Sequence, residues 1–338
     1  MSDSIQRVFE GPSLSAAEAE AAFDRFLVGS ATPVEMAALL TALKVRGETA
    51  AEVAGGVRAL QKAMVAVELG EDRAVDTCGT GGGSLTTFNI STAAAFVAVG
   101  GGVRIAKHGN RSFTSSCGSA DVLEALGIAI ELDPEAAVRV FEEAGIVFLF
   151  APAFHPAMRH VGPVRRELGV TTIMNLLGPL ANPARVRRQV VGVARPELLS
   201  LVGDALRELG HERALVVHGE PGMDELSPLG VTRGVAVEDG EVREFEITPD
   251  ELGWSGYIPD ELRGAEPQTN AKRIKSVLRG EERGGARAAV LLNAAAAFWA
   301  AGEVDDVADG VVRAEASIDD GLAWASVERL RVATEAHR

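Results

Sequence analysis

The stretch that decides the fold is residues 76–121, DTCGTGGGSLTTFNISTAAAFVAVGGGVRIAKHGNRSFTSSCGSAD. A glycine cluster (Gly79, Gly81, Gly82, Gly83) comes first, followed by a hydroxyl- and amide-rich start to an apolar run (Asn89, Ser91, Thr92). A basic, hydroxyl-dense loop from Lys107 to Ser119 closes the stretch. Glycines let backbone N–H groups come close to an anion, and a helix N-terminus adds about half a positive charge. A lone glycine turn is a common way to join a strand to a helix and carries little. Three anion-friendly features within one αβ segment point to a ligand with more than one phosphate.

Working outward, the chain up to residue 70 is punctuated by capping boxes. Ser15…Glu18, Thr32…Glu35 and Thr49…Glu52 each place an acid three positions after a hydroxyl, the pattern that closes a helix N-terminus. With Pro33 in a first-turn position and Gly29 and Gly47 as stops, helices are predicted near 16–28, 33–45 and 50–68. Beyond Val75, short apolar runs alternate with helical patterns. Strands are predicted at 102–106, 146–150, 190–193 and 214–217, with helices near 91–100, 119–126, 134–144 and 196–209. This alternation predicts an α/β fold: an N-terminal helical domain (1–72) and a larger α/β domain (73–338) with a mostly parallel central sheet. Residues 155–183 read as a helical return toward the first domain, 231–247 as a hairpin turning at Asp239-Gly240, Thr248-Pro249-Asp250-Glu251 as the start of another capped helix, and the chain from about 269 as helical.

The chain has 338 residues, 47% of them apolar and 24% charged, an ordinary globular balance. Its net charge of −15 argues against nucleic acid or an anionic membrane as the main partner. No apolar run reaches membrane-spanning length. The N-terminal MSDSIQRVFEGPS lacks a basic-then-apolar pattern and there are two cysteines, so a reducing, cytoplasmic location is expected. Cys78 and Cys117 each precede a glycine of an anion loop. A nearby Lys107 or helix N-terminus is expected to lower a thiol's pKa and make it reactive.

The motifs DTCGTGG (76–82), FNIST (88–92), AKHGNRS (106–112), GSADVLEALG (118–127), FHPAMRHVGPVRRELG (154–169), NLLGPLANP (175–183) and HGEPGMDELSP (218–228) follow in fixed order. In these the chain resembles the anthranilate phosphoribosyltransferases, the tryptophan-pathway enzymes that join anthranilate to phosphoribosyl pyrophosphate. The resemblance covers nearly the whole length. It implies transfer of the phosphoribosyl group to the amine of anthranilate, two Mg²⁺ ions held with the pyrophosphate, and a homodimer through the helical domain.

The candidate site combines the residue chemistry with this resemblance. Gly79, Gly82 and Gly83 offer amides to the pyrophosphate, and Asn89, Ile90, Ser91 and Thr92 open a helix beside it, with Ser91 as its N-cap. Lys107 is read as a counter-charge at the end of a strand. His108, Gly109, Asn110, Arg111, Ser112, Phe113, Thr114, Ser115 and Ser119 line the donor loop. The resemblance adds Thr87 on the sugar phosphate, Ser91 as a metal contact, and Gly79, His108 and Asn110 near anthranilate. It also places Arg165 on the anthranilate carboxylate, which a planar guanidinium matches with two hydrogen bonds. Asp224 and Glu225, adjacent acids after a strand, suit Mg²⁺ as hard oxygen ligands. No covalent nucleophile or strong base is expected, since an aryl amine is already neutral. The family usually has Asp where this chain has Gly83 and a basic residue where it has Ser116. Two alternatives share the fold, a pyrimidine nucleoside phosphorylase and a nucleic-acid-binding relative.

Overall fold

The computed structural model describes residues 2–70, 73–112 and 116–338. Four helices open the chain: α1 (Ser2–Phe9), α2 (Ala16–Leu27), α3 (Pro33–Arg46) and α4 (Ala50–Ala63). The last three carry the expected capping boxes, with each hydroxyl accepting the N3 N–H and each glutamate reaching back to the N-cap. α1 was not anticipated. α4 stops before residue 68 because the following chain leaves for tertiary partners: Val65 N–H donates to Phe154 O and Val67 N–H to Pro183 O.

The α/β part begins with β1 (Val75–Gly79), α5 (Ile90–Gly100), β2 (Ile105–Gly109), α6 (Ser119–Ala125), α7 (Pro134–Ala144) and β3 (Ile146–Phe150). A return of short helices follows: α8 (Ala151–Phe154), α9 (Gly162–Leu168) and α10 (Met174–Leu180). Then come β4 (Arg188–Gly192), α11 (Leu199–Glu208), β5 (Arg213–Gly219), β6 (Thr232–Glu238) and β7 (Glu241–Ile247). α12 (Pro267–Leu278), α13 (Gly285–Ala301), α14 (Val307–Asp319) and α15 (Leu322–His337) complete the chain. Pro249–Leu252 forms one 3₁₀ turn, not a helix, because Gly253 adopts the left-handed conformation directly after it.

The seven strands make one sheet in the order β3-β2-β1-β4-β5-β6-β7. The first five run parallel, and β6 and β7 add the expected antiparallel hairpin. β2 lies three residues later than expected. Gly102 turns the chain at φ 98°, and the strand continues through Lys107 and His108, both buried. Alternation along the strands divides the core: Val190, Leu215 and Val217 face α5 and α13, whereas Val191, Ala214 and Val216 face the opposite layer. That second layer holds α11, α2–α4, and Val161, Val164, Ile173 and Leu177 of the return. The return is therefore packed between the helical lobe and the sheet.

Glu52, at N3 of α4, is fully buried. Its carboxylate accepts Leu14 N–H at 2.8 Å and Thr49 N–H at 3.0 Å and pairs with the Arg46 guanidinium. Removing one partner of a buried ion pair leaves the other uncompensated. Glu52→Ala is expected to cost about 3 kcal/mol or more in urea unfolding; a loss below about 1 kcal/mol would show that these bonds are replaced by water.

Candidate functional site

The strand order reverses at β1, whose neighbours are β2 on one side and β4 on the other. Crevices outside the carboxyl ends of strands at such a reversal are where open α/β sheets bind ligands. Here the C-terminal ends of β1 and β4 border a narrow cleft whose free space is about 10 Å³. Thr77, Cys78, Ser91, Gly192, Asp224 and Glu225 line it, over an apolar floor that includes Ala94, Val190 and Val217.

The glycine loop is fastened to the chain around Asp224. Gly81 N–H donates to Asp224 Oδ2 at 2.8 Å, and Ser84 N–H to Gly222 O at 2.8 Å. The approach leaves no room for side chains: a Cβ on Gly192 would lie 1.5 Å from Asp224 O, and one on Gly79 2.5 Å from Asp224 Oδ2. Gly82, at φ 84°, needs the conformational freedom of glycine. The departure at Gly83 has a local reason, since a Cβ there would meet Gly222 O at 2.8 Å and Asp224 Oδ1 at 3.2 Å. Ser116, the other departure, donates its hydroxyl to Ala265 O at 3.1 Å.

α5 begins at Ile90, and Ser91 is not its N-cap; Asn89 precedes the helix without a side-chain cap bond. The acceptor comes instead from the distant acid. Glu225 Oε1 accepts Ser91 N–H at 3.1 Å and Glu225 Oε2 accepts the Thr87 hydroxyl at 3.0 Å. A carboxylate at a helix N-terminus is electrostatically favoured. Even so, burial and the adjacent Asp224 push the Glu225 carboxyl up to about 8, and burial raises Asp224 as well. Among the described residues, neither acid makes an ion pair. Ile90 and Thr92 are buried, with Ile90 N–H bonded to Phe88 O at 2.6 Å. Asn89 is a strut: its amide nitrogen donates to Cys117 O at 3.1 Å and its oxygen accepts from Asn270 at 3.0 Å.

Lys107 lies inside β2, not at its end. Its ammonium donates to Thr77 O and reaches the Thr77 and Ser91 hydroxyls at 3.4 Å each. Burial lowers its pKa, against the pull of Asp76 and Glu225. Asp76, which the sequence reading passed over, is fully buried and accepts from His108 N–H, Asn182 and Gln189. Burial still raises its carboxyl to about 6, offset in part by Lys107.

The donor loop is only partly in view, because Phe113, Thr114 and Ser115 lie outside the described residues. Gly109 ends β2. Ser119 donates to Asn110 O at 3.3 Å, Asn110 Oδ1 accepts Arg111 N–H at 2.7 Å, and Ser112 N–H donates to Asp121. Arg111 is already engaged by α6, at 2.9 Å from Asp121 and 2.5 Å from Glu124.

The helical return packs against β1, β2 and β4 through Pro179 and Asn182. Arg165 lies on α9, half-buried, and its guanidinium has no hydrogen-bond or ion-pair partner among the described residues. Burial alone lowers its pKa. His108 and His155, the latter not anticipated although it sits in the quoted FHPAMRH motif, have ring centroids 5.1 Å apart. Their rings bond to the backbone of Gly178 and Ala181 respectively, and the Nε2 atom of each is buried without a partner among the described residues. Burial depresses them to about 3 and about 4. The thiols depart from expectation. Burial pushes Cys78 well above its ordinary value and Cys117 up to about 11, so both are protonated and poorly nucleophilic. Among the described residues no cluster of three or more His, Cys, Asp or Glu could hold a metal, and no helix is long and apolar enough to cross a membrane.

Comparison with known proteins identifies the family and the fold. Residues 2–64 match the helical bundle domain of a glycosyl transferase family and residues 71–324 its a/b domain. An anthranilate phosphoribosyltransferase of Rubrobacter xylanophilus is 51% identical over 97% of this chain and 95% of its own. The chain belongs to the anthranilate phosphoribosyltransferase family. The crystal structure of the Thermus thermophilus anthranilate phosphoribosyltransferase superposes with a TM-score of 0.93 at 43% identity, covering 98% of this chain and 99% of that one. The Saccharomyces cerevisiae enzyme in complex with PRPP and Mg gives 0.90 at 27% identity, covering 99% and 97%.

The folded pKa values of His108 and His155 lie below the unfolded value of about 6.5. The stability they contribute is therefore present above that pH and lost as pH falls toward 4, by about 1.4 kcal/mol per pH unit for each. By NMR, the ring C–H signals of both histidines are expected to stay constant above about pH 5. Titration of either near 6.5 would contradict the burial assigned to it.

Proposed function

We propose that this chain transfers the phosphoribosyl group of phosphoribosyl pyrophosphate to the amine of anthranilate, giving N-(5-phosphoribosyl)anthranilate and pyrophosphate in tryptophan biosynthesis. The observation that carries this reading is the packing of the helical return against the strands that hold the glycine loop and Lys107. An amide-rich wall carrying Lys107 lies along β1, β2 and the opening of α5. His108 on β2 packs against His155 of the return, which also bears Arg165, a guanidinium without a partner among the described residues. The wall suits a pyrophosphate and the return an aromatic carboxylate.

On the donor side, the main chain of Gly79, Gly82 and Gly83, the opening of α5 from Asn89 through Thr92, Thr87, Lys107 and the loop from His108 to Ser119 form the phosphoribosyl pyrophosphate subsite. Phe113, Thr114 and Ser115 are part of that proposal. The ammonium of Lys107 and the amides oppose the charge that builds on pyrophosphate as the C1–O bond breaks, in a cleft where water screens little. On the acceptor side, Gly79, His108, Asn110 and Arg165 hold anthranilate. Its neutral amine attacks C1 as the C1–O bond to pyrophosphate breaks, and the proton shed after C–N bond formation leaves with the pyrophosphate or to water. Positioning supplies most of the acceleration, since neither reactant needs covalent activation.

The acid pair fits magnesium. Asp224 and Glu225 are adjacent oxygen donors without a cationic partner among the described residues, and Ser91 Oγ joins them on the same cleft. Magnesium binds through one or two carboxylates together with substrate phosphates. We assign two ions, which would supply counter-charge to the pyrophosphate. We draw the domain boundary at residue 72/73, place the protein in the reducing cytoplasm, and assign a second copy of the chain as partner through the helical domain. In that domain Phe9, Val28, Val34 and Val45 are large apolar side chains left exposed.

Arg165→Ala is expected to raise the Michaelis constant for anthranilate by roughly ten- to a hundredfold, the loss of about 1.5–3 kcal/mol of charge-assisted bonding. The constant for phosphoribosyl pyrophosphate should be nearly unchanged; an unaltered anthranilate constant would remove Arg165 from the site. The double variant Asp224→Asn, Glu225→Gln keeps shape while removing charge and should require a higher Mg²⁺ concentration for half-maximal activity. A titration identical to the parent's would make these acids purely structural.

A further inference from the structure

β1 and β2 are neighbours, yet their ladder register has a single pair, Val75↔Ile105. By contrast, β1 and β4 pair at five positions, as do β2 and β3. Beyond Val75 the space between β1 and β2 is spanned by side chains. Asp76 Oδ1 accepts His108 N–H at 3.1 Å. Asn182 Nδ2 donates to Ala106 O at 2.8 Å and to Asp76 Oδ2 at 2.9 Å. The Lys107 ammonium takes Thr77 O. Main-chain groups of two diverging strands are thus satisfied by a polar wedge.

The wedge also holds the return. Gln189 Nε2, on β4, donates to Pro179 O at 2.7 Å and to Asp76 Oδ2 at 3.2 Å. Asn182 Oδ1 accepts Ala184 N–H at 2.8 Å. Asp76, Asn182 and Gln189 are each no more than 2% exposed. Apolar side chains of similar size would cost less to bury, so stability alone is a poor reason for placing three polar groups here. What the wedge joins is informative. β1 and β2 lead into the glycine loop and carry Lys107. The segment at Gly178–Ala181 supplies the backbone groups that bond the His108 and His155 rings.

We propose that Asn182, acting through Asp76, is a positioning residue that holds the acceptor wall in register with the Lys107 wall, so that the amine meets the sugar carbon at reacting distance. This rests on the phosphoribosyl-transfer reading above. Small misplacements of reacting groups cost rate steeply, even when the change lies away from the chemistry.

The test uses the full chain with Asn182→Ala and, as a second variant that removes the tie to the return and one bond to Asp76 while leaving Asn182 in place, Gln189→Met. In both, kcat/KM for anthranilate is expected to fall by about tenfold or more while KM for phosphoribosyl pyrophosphate stays within about twofold. Hydrogen exchange of residues 174–184 should accelerate. A lowered melting temperature with unchanged kinetics, or a parallel rise in both Michaelis constants at unchanged kcat, would overturn the proposal and leave the wedge a structural element only. If Asn182→Ala does not fold, Gln189→Met decides by the same criteria. Should the parent protein itself fail to use anthranilate, the functional reading falls. Unchanged exchange at 174–184 in the variants would instead sink the wedge.

Discussion

The carboxylate of Glu225 is the interaction on which the site depends. From 134 positions away it takes the Ser91 N–H at the opening of α5 and the Thr87 hydroxyl before it. It thereby pins the chain around Asp224 against the β1–α5 connection, which in turn fixes the glycine loop through Gly81 and Ser84. A helix end that would otherwise present bare N–H groups to water is closed by a distant loop, and the cleft between them has a defined shape. The same bond leaves Glu225 beside Asp224 in a dry place, an arrangement that costs stability without a cation nearby.

The molecule solves an electrostatic problem. With a net charge of −15 it cannot rely on a basic surface to hold an anion. Arg111, the one arginine among the donor-loop candidates, is committed to Asp121 and Glu124. What remains is concentrated and inward: a single buried ammonium, oriented amides, and a helix opening. Such groups act through short distances in a poorly screened space, where each is worth more than a solvated side chain.

Much of this was legible in the residues. The three capping boxes, the 239–240 hairpin turn and the alternation of apolar runs are local signals, and local signals fixed the helices, the hairpin and the mixed sheet. Where the chain answers to distant partners, local reading failed. The end of α4 is set by bonds to Phe154 and Pro183. The cap of α5 comes from Glu225, and β2 runs through a lysine because Thr77 waits on the next strand. Arg111 was read as lining the donor loop, and its ties to Asp121 and Glu124 of α6 could not be seen from the loop alone. The thiols looked activated because adjacency to glycines is visible in sequence while burial is not. His155 was within a quoted motif, but only its ring packing against His108 marks it.

The hairpin at the end of the sheet has a consequence beyond fold. β7 is the outermost strand, with unpaired main-chain groups along one side, the feature that invites pairing with another molecule's strand. It reads EVREFEI and is half-exposed along its length. Arg243 is tied to Glu238 and Glu246 to Arg233, while Glu241 and Glu244 stand in solvent. A second copy approaching edge-on would have to bury this row of charges. At the opposite margin β3 is buried at every position. The sheet thus ends in a barrier to intermolecular strand addition on one side and in packed protein on the other, keeping a seven-stranded surface from growing further.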